Sequence, residues 1–486
     1  MKIYFRGHNF RYNLEHVVRI FFNDVSFAPN VMTKKDRSKK EDFTYFRYLE
    51  NSSSKKIFVV VSYNKTVKAV TKRLSDTATN NEVTRAFAVT FYDIMTSLSG
   101  YYPPWGVLTG VRPLKVVLNR IKNNKTKEEI EISLKEEYRV GEEKVSLAYE
   151  AALASNKIAE GNTLDSCSIY ISIPFCPSRC NYCSFTSKSI EKEFFLVDEY
   201  IKKLVEEIAK TADIVSSLNL RIRSIYIGGG TPTVLSDENL LVLLTAINKY
   251  LNLDNLEEYT VEAGRPDTIT KSNLLLLKEF DITRISINPQ TFNDRILEKI
   301  GRRHTANDIL NAFELAKIVG LNNINADLIA GLPLDTVESF QDSLEKLISL
   351  APTAITVHTL TIKKSSNLIE EDEVFPLDVA QMIKNSYETL KKNKFFPYYL
   401  YRQKGTLENL ENIGYSQRGF EGLYNVYIMD ELHSIFSVGA GAVTKIVNQA
   451  SGHIERLFNY KYPREYINNF PDVIKRKTDI LSIYRK

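Results

Sequence analysis

From residue 168 onward the apolar positions of this chain switch period repeatedly. Short runs rich in Ile, Val and Tyr, at 168–173, 224–227, 259–262, 284–287, 325–329 and 354–359, alternate with longer segments whose apolar residues recur every three or four positions. The short runs predict strands and the longer segments helices. Helices are expected to begin near Val197, Ser236, Thr270, Thr305 and Thr336. Thr305 and Asp308 have the spacing of a capping box, and Gly320 stands where that helix would close in a left-handed cap. Strand–helix alternation builds a parallel sheet with right-handed crossovers. About six such units fall short of the eight of a closed (β/α)8 barrel, so the class expected is α/β, a partial (β/α)6 barrel over residues 166–370.

The flanks read differently. Residues 1–125 predict a small α+β domain, with strands at 42–50 and 56–63 and an amphipathic helix at 81–99 closed by Gly100. The proline-rich segment 103–113, which holds the only tryptophan, Trp105, cannot be helical. The charged run 34–42 reads as a solvated loop. Residues 126–165 form a charged helical linker, and 371–486 a C-terminal α+β extension with a hairpin expected around 424–447.

Composition narrows the class without naming a function. In 486 residues, 43% hydrophobic and 25% charged content are ordinary for a globular protein. Sixty-four basic against fifty-nine acidic residues leave +5, too mild to call for nucleic acid. No run of eighteen apolar residues predicts a membrane span, and the first residues lack a signal-peptide apolar core. Four cysteines, expected to be unpaired, point to the reducing cytoplasm.

Three of those cysteines carry chemistry. Cys176, Cys180 and Cys183 lie in Y-I-S-I-P-F-C-P-S-R-C-N-Y-C-S-F, a C-x3-C-x2-C pattern. Three thiolates this close can hold three irons of a 4Fe–4S cube and leave the fourth iron without a protein ligand. An odd trio cannot close as disulfides, and a zinc site normally takes four N or S ligands. Cys167 lies nine positions before Cys176, with Ile169, Ile171 and Ile173 alternating between them. A strand there carries it to the far end from the loop, as an ordinary half-buried thiol.

Ligands of parallel α/β folds bind where strands end, and the unusual residues of this chain cluster there. Strand two runs into Gly228-Gly229-Gly230-Thr231-Pro232-Thr233, which offers close backbone approach and free N–H groups. Strand three ends at Glu262, strand four at Asn288-Pro289-Gln290 followed by Arg302, and strand five carries Asp327 inside an apolar run. Strand six leads through His358 and Thr359 to Thr361. A matching ligand would bear an ammonium, a carboxylate and a ribose. S-adenosylmethionine has all three, and its amino and carboxylate groups could chelate the vacant iron.

The assembly resembles the radical S-adenosylmethionine superfamily. Within it, the cysteine string, G-G-G-T-P-T, R-I-S-I-N-P-Q-T-F and D-L-I-A-G-L-P resemble the oxygen-independent coproporphyrinogen III oxidase/dehydrogenase family. P-W-G-V-L-T-G-V-R-P, P-Y-Y-L-Y-R-Q-K and G-A-G-A-V-T-K are similar to its HemZ-type branch. The resemblance implies a 4Fe–4S cluster on Cys176, Cys180 and Cys183. It places S-adenosylmethionine contacts on Tyr170, Gly229, Gly230, Thr231, Glu262, Gln290, Arg302, Asp327 and Thr361, with Phe175 and Phe185 packed about the cluster. It further implies oxidative decarboxylation of coproporphyrinogen III to protoporphyrinogen IX, through a 5′-deoxyadenosyl radical, with flavodoxin or ferredoxin as electron donor. Arg303, Lys363, Lys364 and Arg402 are candidates to meet the substrate carboxylates. The chain departs from many relatives at Ser172, where they carry His, at Ala263-Gly264-Arg265-Pro266, where they carry x-Asn-Pro, and at Asn288, where they carry Gly. Two other readings use the same fold: a haem-binding chaperone, for which His433 and His453 are possible ligands, and a radical enzyme acting on another substrate.

Overall fold

The computed structural model describes the 486-residue chain apart from residues 23, 28–40, 52–53, 184–186, 363–374, 376–377, 449–450 and 485–486. Phe185, Lys363, Lys364 and most of the charged run 34–42 therefore lie outside the described residues.

The chain divides into two compact units, Met1–Tyr149 with Glu408–Leu410, and Glu150–Leu407 with Glu411–Lys486. The first unit holds β1 (Lys2–Arg6), β2 (Ser26–Phe27), β3 (Phe43–Asn51), β4 (Ser54–Tyr63) and β5 (Thr66–Leu74), paired in the order β2-β1-β3-β4-β5. Helices Arg11–Val18 and Asn80–Ser99 pack on this sheet. The second of these opens with a Thr79–Glu82 capping box and closes on Gly100 at φ +71°.

The second unit contains one eleven-stranded sheet. Its centre is six parallel strands, β6 (Ser166–Ile173), β9 (Arg221–Gly229), β10 (Glu258–Gly264), β11 (Arg284–Ile287), β12 (Ile324–Ala330) and β13 (Ala354–Thr359), side by side in chain order. The short pair β7 (Phe175–Cys176) and β8 (Lys188–Ser189) stands apart from the sheet and frames the cysteine loop. The expected helices follow, with side-chain caps from Ser236, Thr270, Thr305 and Thr336. Gly320 takes φ +88°, as its cap requires.

The later residues extend this sheet at both edges. β14 (Phe396–Arg402) and β15 (Glu411–Ser416) add antiparallel beside β13. β16 (Ser434–Val438) adds parallel to β6, followed by β17 (Val443–Val447) and β18 (Ile454–Phe458). Among the described residues the strand order ends at β14 on one side and at β18 on the other. The hairpin expected at 424–447 begins later than the sequence suggested, because Leu423–Asp430 is a helix and β16–β17 alone form the hairpin. The cause is tertiary: the Glu258 carboxylate accepts the Leu423 and Tyr424 N–H groups at 2.7 and 3.1 Å, which fixes a helix start there.

The parallel strands split their residues by face. Outward positions are apolar and buried under the helices, among them Ile169, Ile171, Ile225, Ile227, Val261, Ile285, Leu328 and Val357. Inward positions are polar. Ser168 and Ser224 share a hydrogen bond of 2.6 Å, Asn325 Nδ2 donates to Ser286 Oγ and Asp327 Oδ1, and Thr356 donates to Asn325 Oδ1. Cys167 is fully buried on the outward face of β6, deeper than the half-burial expected, and that burial pushes its thiol pKa far up.

Candidate functional site

A cavity of about 360 Å3 opens at the C-terminal ends of the parallel strands. The three clustered cysteines share its wall with Gly229, Gly230, Thr231, Glu262, Gln290, Arg302, Asp327 and Thr361. Eleven of the twelve residues singled out from sequence thus line one cavity; Tyr170 stands one ring behind, stacked 6.1 Å from Tyr226, which does line it.

The glycine run is placed by close approach. The Gly230 and Thr231 N–H groups donate to the carbonyls of Ile173 and Phe175 at 2.7 and 2.8 Å, so this loop lies directly on the strand entering the cysteine loop. A side chain at Gly230 would collide with the Phe175 carbonyl, and a Cβ at Gly228 would lie 2.7 Å from a Glu262 carboxylate oxygen. Gly229, at φ +107°, aims its N–H at Glu262 Oε2, 3.2 Å away.

Opposite charges face each other across the remaining wall. Glu262 accepts the Tyr226 hydroxyl at 2.5 Å. Burial raises its pKa to about 7; the Tyr226 and Gly229 hydrogen bonds oppose the rise and the nearby Asp327 adds to it. Asp327 faces His358 Nε2 at 3.5 Å. Burial alone would lower the His358 pKa, but Asp327 and Asn412 outweigh it and raise it. Arg302 donates to the Asn288 carbonyl at 2.8 Å and the Tyr182 hydroxyl at 2.9 Å, and its buried Nε has no partner. Gln290 is held at φ +70° by backbone bonds to Asp327 and Ile329, and its buried Oε1 also lacks a partner. Buried polar groups are normally satisfied, so these two ask for a ligand.

The cysteine loop is braced from behind. Phe175 is fully buried, edge-on to Tyr200 at 5.3 Å. Ser172 donates to the Ala440 carbonyl at 2.8 Å, and the Tyr200 hydroxyl links the Ser172 carbonyl to the Ala440 N–H. Buried Glu207, paired with Lys477 at 3.1 Å, accepts the Gly439 N–H and the Tyr466 hydroxyl. The G-A-G-A string thus anchors the end of β6, a task the sequence did not reveal. Thr231 Oγ1 reaches Cys176 Sγ at 3.5 Å. Burial raises the Cys176 thiol pKa, against hydrogen bonds from Ser187 and Thr231. Among the described residues no three His, Cys, Asp or Glu side chains are disposed to hold a single metal ion; a cube asks for three thiolates on three different irons.

The candidate substrate cations fare differently. Arg303 forms a surface ion pair with Glu191, and Arg402 is buried on β14 opposite Glu411, where burial lowers its pKa to about 10; neither lines the cavity. His433 is locked between Ser168 Oγ at 2.7 Å and Asn162 Oδ1 at 2.6 Å, and burial depresses its pKa to about 3. Sequence reasoning missed Tyr182, Tyr226, Arg265, Asn325 and Tyr399 on the cavity wall. For Tyr226 and Asn325 a signal existed: each stands two positions from another polar residue, Ser224 and Asp327 respectively, in an otherwise apolar run.

The Radical SAM superfamily matches residues 170–347. The oxygen-independent coproporphyrinogen-III oxidase-like protein HemZ of Bacillus subtilis is 36% identical over 409 residues, 82% of this chain and 81% of that protein. The heme chaperone HemW of the same organism is 34% identical over 280 residues, 57% of this chain and 70% of that protein. Among solved structures, coproporphyrinogen III oxidase (HemN) from Escherichia coli, a radical SAM enzyme, aligns with a TM-score of 0.52 at 19% identity, covering 66% of this chain and 73% of that one, a likeness of fold alone. Fold and site together define a radical SAM protein, of the superfamily that uses a three-cysteine 4Fe–4S cluster with S-adenosylmethionine. Within it, the chain belongs to the coproporphyrinogen III oxidase-like family, in its HemZ-type branch. Among the described residues no helix is long and apolar enough to cross a membrane.

Proposed function

We propose that this chain catalyses the oxygen-independent oxidative decarboxylation of coproporphyrinogen III to protoporphyrinogen IX. The observation that carries the reading is the cavity in which the cysteine loop meets Glu262, Gln290, Arg302 and Asp327. Cys176, Cys180 and Cys183 would hold the cluster. Glu262 would accept the ammonium of S-adenosylmethionine, Arg302 would donate through Nε to its carboxylate, and Gln290 and Asp327 would accept its ribose hydroxyls. When bound, cluster and S-adenosylmethionine supply the reductive cleavage that yields a hydrogen-abstracting radical. The protein's part is to fix the sulfonium beside the cluster and to keep water out, tasks suited to the buried Phe175 and the glycine loop.

A haem chaperone is the second reading, favoured by the likeness to HemW. The buried, doubly bonded His433 is a poor haem ligand, which leaves the exposed His453 as the histidine candidate. One anaerobic assay separates the two. Reconstituted protein, reductant, S-adenosylmethionine and coproporphyrinogen III should give protoporphyrinogen coupled to 5′-deoxyadenosine. Stoichiometric haem uptake without decarboxylation would replace the first reading with the second.

A further inference from the structure

Arg265 lies against the cysteine loop, at a position to which the sequence resemblance assigned no contact. It follows β10 directly, and its side chain is 4% exposed. The guanidinium is divided by edge. Nε and Nη2 each donate to Asp267 at 3.0 Å. Nη1 points the other way, donating to Ser178 Oγ at 3.1 Å and reaching Cys180 Sγ at 3.6 Å. Arg302 is placed differently, with its two terminal nitrogens held by the Asn288 carbonyl and the Tyr182 hydroxyl.

We propose that Arg265 is a positioning residue that raises the reduction potential of the cluster held in part by Cys180. The inference rests on the reading that the three cysteines carry a 4Fe–4S cluster. Reduction adds negative charge, and a cation donating a hydrogen bond to a ligand sulfur stabilises the more negative state. Asp267 binds the far edge of the guanidinium, so the pole nearer the sulfur is positive, and the nearer charge dominates. Burial keeps screening by salt weak. Asp267 also holds the planar group in place, helped by His304 Nδ1 at 3.4 Å from its carboxylate. The protein thereby makes its cluster easier to reduce, the step on which cleavage of S-adenosylmethionine depends.

The test is an EPR-monitored redox titration of anaerobically reconstituted full-length protein. Arg265→Gln keeps a donor and removes the charge; Arg265→Lys keeps the charge and removes the fork. Because Arg265→Gln leaves Asp267 short of its partner in a buried site, the double variant Arg265→Gln/Asp267→Asn is titrated alongside. With full iron and sulfide content, the reduced-to-oxidised ratio of Arg265→Gln at the parent's midpoint should fall about tenfold, equivalent to about 59 mV for a one-electron couple. Arg265→Lys should fall between, and the double variant should recover less than half of the shift. A change of less than about twofold in Arg265→Gln at full cluster content overturns the proposal. So does loss of the cluster from folded single and double variants alike, which would make Arg265 an assembly residue. A parent protein that holds no cluster refutes the underlying reading instead, and its iron content reveals that case before any titration.

Discussion

Two sheets in this chain use the same alternation of side chains for opposite ends. In the N-terminal unit, the covered face of β1, β3 and β4 presents Ile3, Phe5, Phe46, Tyr48, Ile57, Val59 and Val61, which pack on Val83, Phe87, Phe91 and Met95 of a single helix. Burial there holds a fold together. In the parallel strands of the second unit the apolar face is turned outward to the helices, and the inward face carries Ser168, Ser224, Tyr226, Glu262, Ser286, Asn325, Asp327, Thr356 and His358. Transferring such groups from water is costly unless they are paired, and here they pair with each other or wait for a ligand. The lesson is one of division: outward residues pack against the helices, and inward ones supply much of the polar cavity wall.

The sharpest break in that division is expected at the cysteines. Replacing Cys176, Cys180 or Cys183 by Ala should abolish bound iron and 5′-deoxyadenosine formation, measured by iron and sulfide analysis and product chromatography. Cys167→Ala, on the outward face, should keep the full cluster and lower stability by about 1–2 kcal/mol in denaturant unfolding. Loss of iron from Cys167→Ala would erase the division by face.

Phe46→Ala comes next. It empties the middle of the N-terminal core and should destabilise that unit by about 3–5 kcal/mol, read from urea unfolding followed by circular dichroism. Tyr226→Phe, facing inward, removes one hydroxyl that donates to Glu262. Its unfolding should stay within about 1 kcal/mol of the parent, while S-adenosylmethionine affinity in equilibrium dialysis falls about fivefold to thirtyfold. Equal losses of stability in the two variants would show that both sheets are ordinary cores.

Much of this was legible in advance, for identifiable reasons. The six parallel strands announced themselves because each is an apolar run bounded by turn residues, and the helix starts because Ser236, Thr270, Thr305 and Thr336 cap locally. The site residues were legible where they stand at strand ends in short motifs. What lay hidden depends on partners far away in sequence. The helix Leu423–Asp430 starts where Glu258, about 165 positions earlier, accepts its first N–H groups. Ser172 and the G-A-G-A string meet across 268 positions. Arg265 reaches Cys180, 85 positions earlier in the chain, from a turn entered through Gly264 at φ +63°. Arg303 and Arg402 look alike as charges in a string, but burial and Glu191 separate their fates.

The smallest expected effect tests the inward face by proton rather than by mutation. Burial lifts the Glu262 carboxyl from 4.5 to about 7, against its bonds to Tyr226 and Gly229. Between those values the folded protein holds a proton that the unfolded chain has released. The stability of the unliganded protein therefore falls as pH rises through this window and levels off above about 7. An ammonium group needs the carboxylate form, so its binding runs the other way. S-adenosylmethionine affinity should rise about sixfold from pH 6 to pH 7.5, the ligand's own amino group losing part of its charge near the top of that range, with proton uptake or release visible as buffer-dependent heat in calorimetry. Glu262→Gln should flatten both profiles at once. If the parent's affinity is flat while its stability still falls with pH, Glu262 titrates as described but the ammonium is bound by another group, with Asp327 the nearest alternative on the wall.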